Sequence, residues 1–325
     1  MKVEDRIVLF SELGRELLET SEDVMVAAKA RNPWFTLDNV KKAVERVATQ
    51  FLAEENLKAW VEKYPEVYFN PPSAKRVGIV AAGNLPLVGF QDLLHVLMSG
   101  HQAYYKASSQ DEVLPRYIIE KIGSRLPVFL ADKLNDLDAY IATGSGNTAR
   151  YFEYYLGNKP NIIRKNRVSV AVLDGTESRS ELAELGNDIL EYFGLGCRNV
   201  SKLYVPEGYD FTSFFESIEY WNTITMHSKY VNNYDYNKSI MLVNGDTHLD
   251  NGFLLLKSSV DLHSPISTVF FEEYSNKDLL LQRLEDQRED LQCVVGLDLP
   301  FGSSQTPAIG DYADGVDTLE FLSRL

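Results

Sequence analysis

Cysteine is scarce: the 325-residue chain has two, Cys197 and Cys293. Two thiols cannot build a disulfide framework or a cysteine zinc site, so each is judged singly. The histidines, His95, His101, His227, His248 and His263, have no H-E-x-x-H or C-x-x-C partners, and no metal is expected. A G-x-S-x-G elbow is missing too, which removes the serine-hydrolase reading. No stretch reaches the roughly 18 to 20 consecutive apolar residues of a membrane span. The first residues, MKVEDRIVLFSELG, carry acidic side chains where a secretory signal needs a basic end. The expected location is the cytoplasm, without membrane insertion. Basic residues are outnumbered 32 to 47, a net charge of -15 that disfavours nonspecific binding to nucleic acid or anionic membrane. Arg164, Lys165 and Arg167 make the densest basic cluster, readable as a local anion site or as a solvated turn.

What is present is ordinary globular material. Hydrophobic residues make up 45% and charged residues 24%, without low-complexity tracts or internal repeats, so no large disordered region is expected. The chain exceeds the roughly 250 to 300 residues at which one core stops growing, which predicts two lobes around a cleft. Residues 37–63 place Val40, Ala43, Val44, Val47, Phe51 and Leu52 at three-and-four spacing behind Thr36, the pattern of a capped amphipathic helix in an N-terminal arm. After Asn70-Pro71-Pro72, residues 76–82 read as a strand and Gly83-Asn84 as a turn. Pro86 then opens a helix that ends near Gly100, before a second strand at 102–106. Further strands are expected at 139–142, 168–173, 202–205, 239–243, 266–271 and 291–295, and helices at 180–193, 210–220 and 276–290. This alternation predicts an α/β protein with mostly parallel sheet, whose ligands sit beyond the carboxyl ends of strands.

Three turns carry residues able to do chemistry. In AAGNLPL, Asn84 follows a buried strand, where its amide can donate to an oxyanion or simply cap the next helix. In IATGSGNTAR, Gly144, Ser145, Gly146 and Thr148 lead into a helix starting near Asn147, and backbone N–H groups there can bind phosphate. In FGLGCRNVSKLYV, Cys197 stands in a glycine-flanked connection beside Arg198, where a thiolate would be exposed and electrostatically favoured. Cys293, in the apolar run LQCVV, reads as core packing. The aromatic run YFEYY at 151–155 reads first as core and second as a wall for an apolar chain.

Taken in order, these segments resemble the aldehyde-dehydrogenase superfamily over nearly the whole chain. AAGNLPLVGFQDLLHVLMSGHQAYYKASSQ resembles the stretch from its P-W-N-F-P turn to its K-P-S-E cofactor strand. IATGSGNTAR is similar to the F-T-G-S-T-x-x-G turn, FGLGCRNVSKLYVPEGYD to the catalytic cysteine loop, and LPFG at 299–302 to the C-terminal L-P-F-G-G. Within the superfamily, the short chain, YFGLGCRNVSKLYVPEGYDF and DYADGVDTLEFL look most like the LuxC-like acyl-CoA reductases, which make fatty aldehydes for bacterial bioluminescence. The resemblance implies an aldehyde-dehydrogenase-like fold of two lobes. Residues 1–167 would be a helical arm plus nicotinamide-cofactor domain, residues 168–305 a catalytic domain, and residues 306–325 a C-terminal segment where a homodimer contact could fall.

It also implies roles. Cys197 would attack an acyl thioester, and Asn84 with the backbone N–H of Cys197 would form the oxyanion hole. Lys106 would hold the adenosine ribose, with Ser108 and Ser109 beside it. Gly144 and Ser145 would line the pyrophosphate. Asp261 in DLHSP stands for the glutamate of E-I-F-G-P, and Phe301 in LPFG would also face the cofactor. The glutamate that activates water in E-L-G-G-K has no counterpart in NIIRKNRVSV, which favours hydride over water as the second nucleophile, hence acyl-CoA reduction. Ser109 replaces the glutamate of K-P-S-E, which favours NADP(H) while still admitting NAD(H). The alternatives are an acyl-phosphate reductase of the glutamyl-phosphate type and a noncatalytic acyl-binding scaffold.

Overall fold

The computed structural model describes every residue except Ser145 and Asn166, and every side chain except those of these two and of residues 146–149. The chain divides into two compact units, Met1–Asn166 with Pro307–Leu325, and Arg167–Thr306. No described helix is long and apolar enough to cross a membrane.

The first unit begins with α1 (Val3–Leu18), α2 (Glu22–Arg31), α3 (Leu37–Arg46) and α4 (Glu54–Val61). The single helix expected over 37–63 is two helices. Thr36 caps α3 by accepting the Asn39 N–H at 3.1 Å, and Val40, Ala43 and Val44 are buried as the spacing requires. The chain then widens into a π turn at Val47–Phe51. Asn56 holds that break open, donating to the Thr49 and Gln50 carbonyls at 3.0 Å each.

A five-stranded sheet follows, built from β1 (Arg76–Val80), α5 (Phe90–Met98), β2 (Gln102–Lys106), α6 (Val113–Ile122), β3 (Val128–Leu130), β4 (Ala139–Thr143), α7 (Gly146–Leu156) and β5 (Asn161–Arg164). Its order is β3-β2-β1-β4-β5, and every pairing is parallel. Both faces must then be covered, so the central β1 and β4 read as nearly continuous apolar runs. One core joins Val77, Ile79 and Tyr105 of the sheet to Leu94 of α5 and Phe10 and Leu13 of α1. The chain end returns to this unit through a helix at Thr318–Ser323 with Leu319 and Leu322 fully buried.

On α7 the aromatic run is not core. Tyr151, Tyr154 and Tyr155 are 58%, 80% and 60% exposed. Consecutive helical residues cannot all face inward, and Phe152 and Leu156, four apart, take the half-buried side.

The second unit comprises β6 (Val168–Val172), α8 (Arg179–Leu190), β7 (Val200–Pro206), α9 (Thr212–Ser217), α10 (Ser228–Asn244), β8 (His248–Asp250), β9 (Leu255–Ser258), β10 (Thr268–Tyr274), α11 (Lys277–Asp286) and β11 (Leu291–Val295). The sheet order is β11-β6-β7-β10-β9-β8, parallel except where β8 runs antiparallel to β9. The strand expected at 239–243 is the last part of α10. Its apolar letters mislead, because Ile240, Leu242 and Val243 point outward, while Tyr230, Tyr234, Asn237 and Met241 form the buried stripe at helical spacing. The Tyr230 hydroxyl donates to the Phe253 carbonyl at 3.0 Å and the Asn237 amide to that of Ile266 at 2.9 Å. Polar side chains can fill a helix's inner face when each finds such a partner, and Gly245, with φ 71°, ends the helix.

Candidate active site

In the first unit, Val80 at the end of β1 pairs with Lys106 in β2 on one side and with Ala142 in β4 on the other. The chain therefore leaves three adjacent strands at one edge of the sheet, towards Asn84, towards Ser108 and Ser109, and towards Gly144. Strand order reverses at β1, where open parallel sheets take their ligands. Asn84, Lys106, Ser108, Ser109 and Gly144 are thus gathered at that edge. Ser145 lies outside the described residues.

Asn84 is exposed and does not cap the helix. The N-cap of α5 is Gly89, with no side-chain cap at all. The helix expected to open at Pro86 opens at Phe90, since Leu87 takes the left-handed φ of 58°, which no helix interior accepts. The strand β2 stops at Lys106, and Ser109 stands in the following turn. The odd offset between them therefore does not force opposite faces, and both side chains are exposed. Ser108 points elsewhere. Its hydroxyl accepts the Gln110 N–H at 3.3 Å, and a Cβ on Gly83 would overlap it, so Gly83 is required there.

The basic cluster does not act as one group, because its first member is buried and its second exposed. Arg164 is buried, ion-paired with the buried Asp92 of α5, and donates to Thr318 Oγ1 at 3.0 Å. Lys165 pairs with Glu153 at 3.1 Å, and Arg167 donates to the carbonyls of Arg288 and Leu291. A buried guanidinium needs such partners, and this one has spent its charge inside the fold.

In the second unit, α8 starts at a capping box of Ser178 and Glu181 and stops at Leu190, three residues short of the expected end. Tyr192, Phe193 and Gly194 then take φ 52°, 63° and 74°. Left-handed aromatics cost about 1 to 2 kcal/mol each. Burial of both rings and the stacking of Phe193 on His227 at 4.2 Å offset that cost. Asn199 ties the rest of the connection down. Its amide nitrogen lies 3.1, 3.3 and 2.8 Å from the carbonyls of Asp188, Ile189 and Glu191, the open end of α8. Its Oδ1 accepts the Gly196 N–H at 2.8 Å. From the other side, Ser169 of β6 donates to the Cys197 carbonyl at 2.9 Å.

Cys197 is thereby fixed by its backbone while its side chain is exposed, and Cys293 is buried. Burial pushes the Cys293 thiol above the usual cysteine range, as core packing implies. Cys197 precedes β7, and Asp261 precedes β10, the parallel neighbour of β7. The fold thus brings both loops to the amino-end edge of the sheet. Ser201 donates to the Leu262 carbonyl at 2.6 Å, and the buried Lys202 ammonium reaches the Val260 carbonyl at 2.9 Å and Glu272 at 2.6 Å. Burial holds Lys202 below the usual lysine range. Asp261 itself is exposed. Phe301 is not brought to Cys197. Its ring tip meets Gly296 and the end of β6, at the other edge of the sheet.

Sequence reasoning missed Asn199, Ser169, Asp188 and Asp111. Asn199 carried a usable signal, an asparagine just after a glycine-marked helix end. Asp188 carried none. Fully buried, it accepts the Gly302 and Ser304 N–H groups at 2.6 and 2.9 Å, across more than a hundred residues of chain. Among the described residues no cluster of metal-ligating side chains occurs.

No family model and no curated protein matches the chain. Solved structures do. An oxidoreductase from Marinobacter aquaeolei superposes with TM-score 0.72 at 12% identity, over 99% of this chain and 84% of that one. The NAD+ complex of an aldehyde dehydrogenase from Bacillus cereus gives TM-score 0.66 at 14% identity, over 91% and 72% of the two chains. The NADP-dependent glyceraldehyde-3-phosphate dehydrogenase from Bacillus halodurans, complexed with NADP, gives 0.64 at 12%, over 86% and 70%. The likeness is one of fold, and the fold is the α/β architecture of aldehyde dehydrogenase structures.

Proposed function

We propose that the protein is an NAD(P)H-dependent reductase of acyl thioesters, with an acyl-CoA as substrate and an aldehyde as product. The observation that carries this reading is Cys197, an exposed thiol on a connection pinned from both sides, on a fold whose solved examples include NAD+ and NADP complexes. The dinucleotide fits the turns after β1, β2 and β4, because they stand at the point of strand reversal and expose Lys106 and Ser109. When bound, the nicotinamide supplies the hydride. Everything else in the reaction falls to this chain. Cys197 Sγ forms a bond to the thioester carbonyl carbon, and the coenzyme A thiolate leaves with the electron pair of the broken C–S bond. The Cys197 N–H donates to the carbonyl oxygen as negative charge develops on it, the role that the resemblance also gives the Asn84 amide, and losing one such donor costs about 3 kcal/mol of barrier. No carboxylate stands in NIIRKNRVSV to activate water, so the thioacyl enzyme persists until hydride arrives.

The test is intact-mass analysis after mixing the protein with acyl-CoA of several chain lengths, without cofactor. One acyl adduct is expected, absent from Cys197→Ala. Added NADPH should discharge it as aldehyde, far faster than buffer alone releases free acid. An adduct on Cys293, turnover by Cys197→Ala, or rapid release of free acid would each overturn the reading.

A further inference from the structure

The turn that carries Asn84 is held by side chains outside it. Asn32, buried and following α2, donates to the Gly83 carbonyl at 2.9 Å, and its own Oδ1 accepts the Trp34 N–H at 2.9 Å. Ser108 packs against Gly83 from the β2 side. The Ala81 N–H donates to the Lys106 carbonyl at 3.1 Å, so the two turns leave their strands joined. The remaining anchor is Asp111. Its Oδ2 accepts the Leu87 N–H at 2.7 Å, and its own N–H donates to the Ser108 carbonyl at 3.1 Å. The side chain is buried, and Oδ1 has no hydrogen-bond partner among the described residues.

A carboxylic group so enclosed, with one oxygen unsatisfied, is costly to the fold and needs a reason. Leu87 supplies one. A leucine at φ 58° is strained by roughly 1 to 3 kcal/mol and persists only where its surroundings determine it. Leu87 is buried, and its N–H faces inward, where no water can satisfy it. Remove the acceptor and the residue can relax to negative φ, which re-aims the backbone of Asn84, Leu85 and Pro86. Burial pushes the Asp111 carboxyl up to about 7, so near neutrality the group is partly uncharged. The bond to Leu87 therefore rests on its geometry as an acceptor more than on a full negative charge.

We propose that Asp111 is the positioning residue of the Asn84 turn, holding Leu87 left-handed so that the Asn84 amide is presented at the edge of the sheet. This rests on the reading of Asn84 as an oxyanion donor. Asp111 touches neither substrate nor cofactor and acts only through the turn. The amide of Asp111→Asn keeps an acceptor for Leu87, whereas Asp111→Leu fills the space and removes it.

Two measurements on the full chain test the proposal. The first is hydrogen exchange at the Leu87 amide, resolved by fragmentation mass spectrometry. Exchange there should rise at least tenfold in Asp111→Leu and change less than threefold in Asp111→Asn, with peptides of the second unit unaltered. Unchanged exchange in Asp111→Leu overturns the proposal, whatever the protein catalyses. The second is acyl-CoA reduction with NADPH. Asp111→Leu should lower kcat at least tenfold with KM for NADPH within twofold, Asp111→Asn should restore most of the rate, and in an Asn84→Ala background Asp111→Leu should have no further effect on kcat. Additive losses in the double variant mean that Asp111 does not act through Asn84. If exchange rises as expected but Asn84→Ala leaves turnover intact, the oxyanion reading of Asn84 is what fails, and the catalytic purpose of the anchor falls with it.

Discussion

The buried Asp111 carboxyl makes the stability of the first unit depend on pH in a way that one substitution should abolish. In the unfolded chain the group ionises near its ordinary 3.8, and in the fold burial raises this to about 7. Between those values the unfolded state has lost a proton that the folded state keeps, so unfolding releases a proton. Stability should therefore fall as pH rises through that window and level off above it. A gap of about 3 pKa units at 1.36 kcal/mol each gives about 4 kcal/mol as a ceiling, reduced by whatever water reaches the open Oδ1. Asp111→Asn removes the titration and keeps an acceptor for Leu87. Its unpaired amide N–H adds a cost of about 1 to 3 kcal/mol that does not vary with pH. Urea unfolding of both proteins at about pH 4 and about pH 8, followed by fluorescence of the buried Trp60 and its neighbours, reads the effect. The stability of wild type minus that of Asp111→Asn should drop by up to about 4 kcal/mol between the two conditions, with every other titrating group cancelling in the difference. A difference constant to within about 0.5 kcal/mol would refute the reasoning, because the carboxyl would then ionise alike in both states.

Other consequences are simpler. Asn199→Ala removes the amide donor to the carbonyls at the end of α8 and the acceptor of the Gly196 N–H; it should cost about 2 to 3 kcal/mol in denaturant unfolding and slow formation of the Cys197 acyl adduct by more than it weakens acyl-CoA binding. Ser109→Glu places a carboxylate in the exposed turn after β2. If that turn holds the adenosine, the ratio of kcat/KM for NADPH over NADH should fall about tenfold or more, and an unchanged ratio would put Ser109 outside the pocket.

Local pattern in the sequence was enough for the strands built around short apolar runs, β1, β2, β4, β6, β7 and β11, and for the cap at Thr36. These features are decided within a few residues, by burial on both faces or by one side chain meeting one N–H. The exposed thiol of Cys197 and the buried thiol of Cys293 were legible for the same reason, since a glycine-flanked connection and an apolar run differ locally. Contacts across long separations decided the rest. Residues 239–243 look like a strand until Tyr230 and Asn237 of α10 find carbonyls across the unit. Arg164 looks like a surface charge until Asp92, on another element, closes on it. The helix expected from Pro86 is cut short by Asp111, from the next strand's turn, capturing the Leu87 N–H. A sequence shows which groups must be satisfied, and only the folded chain shows which partner, often a hundred residues away, satisfies them.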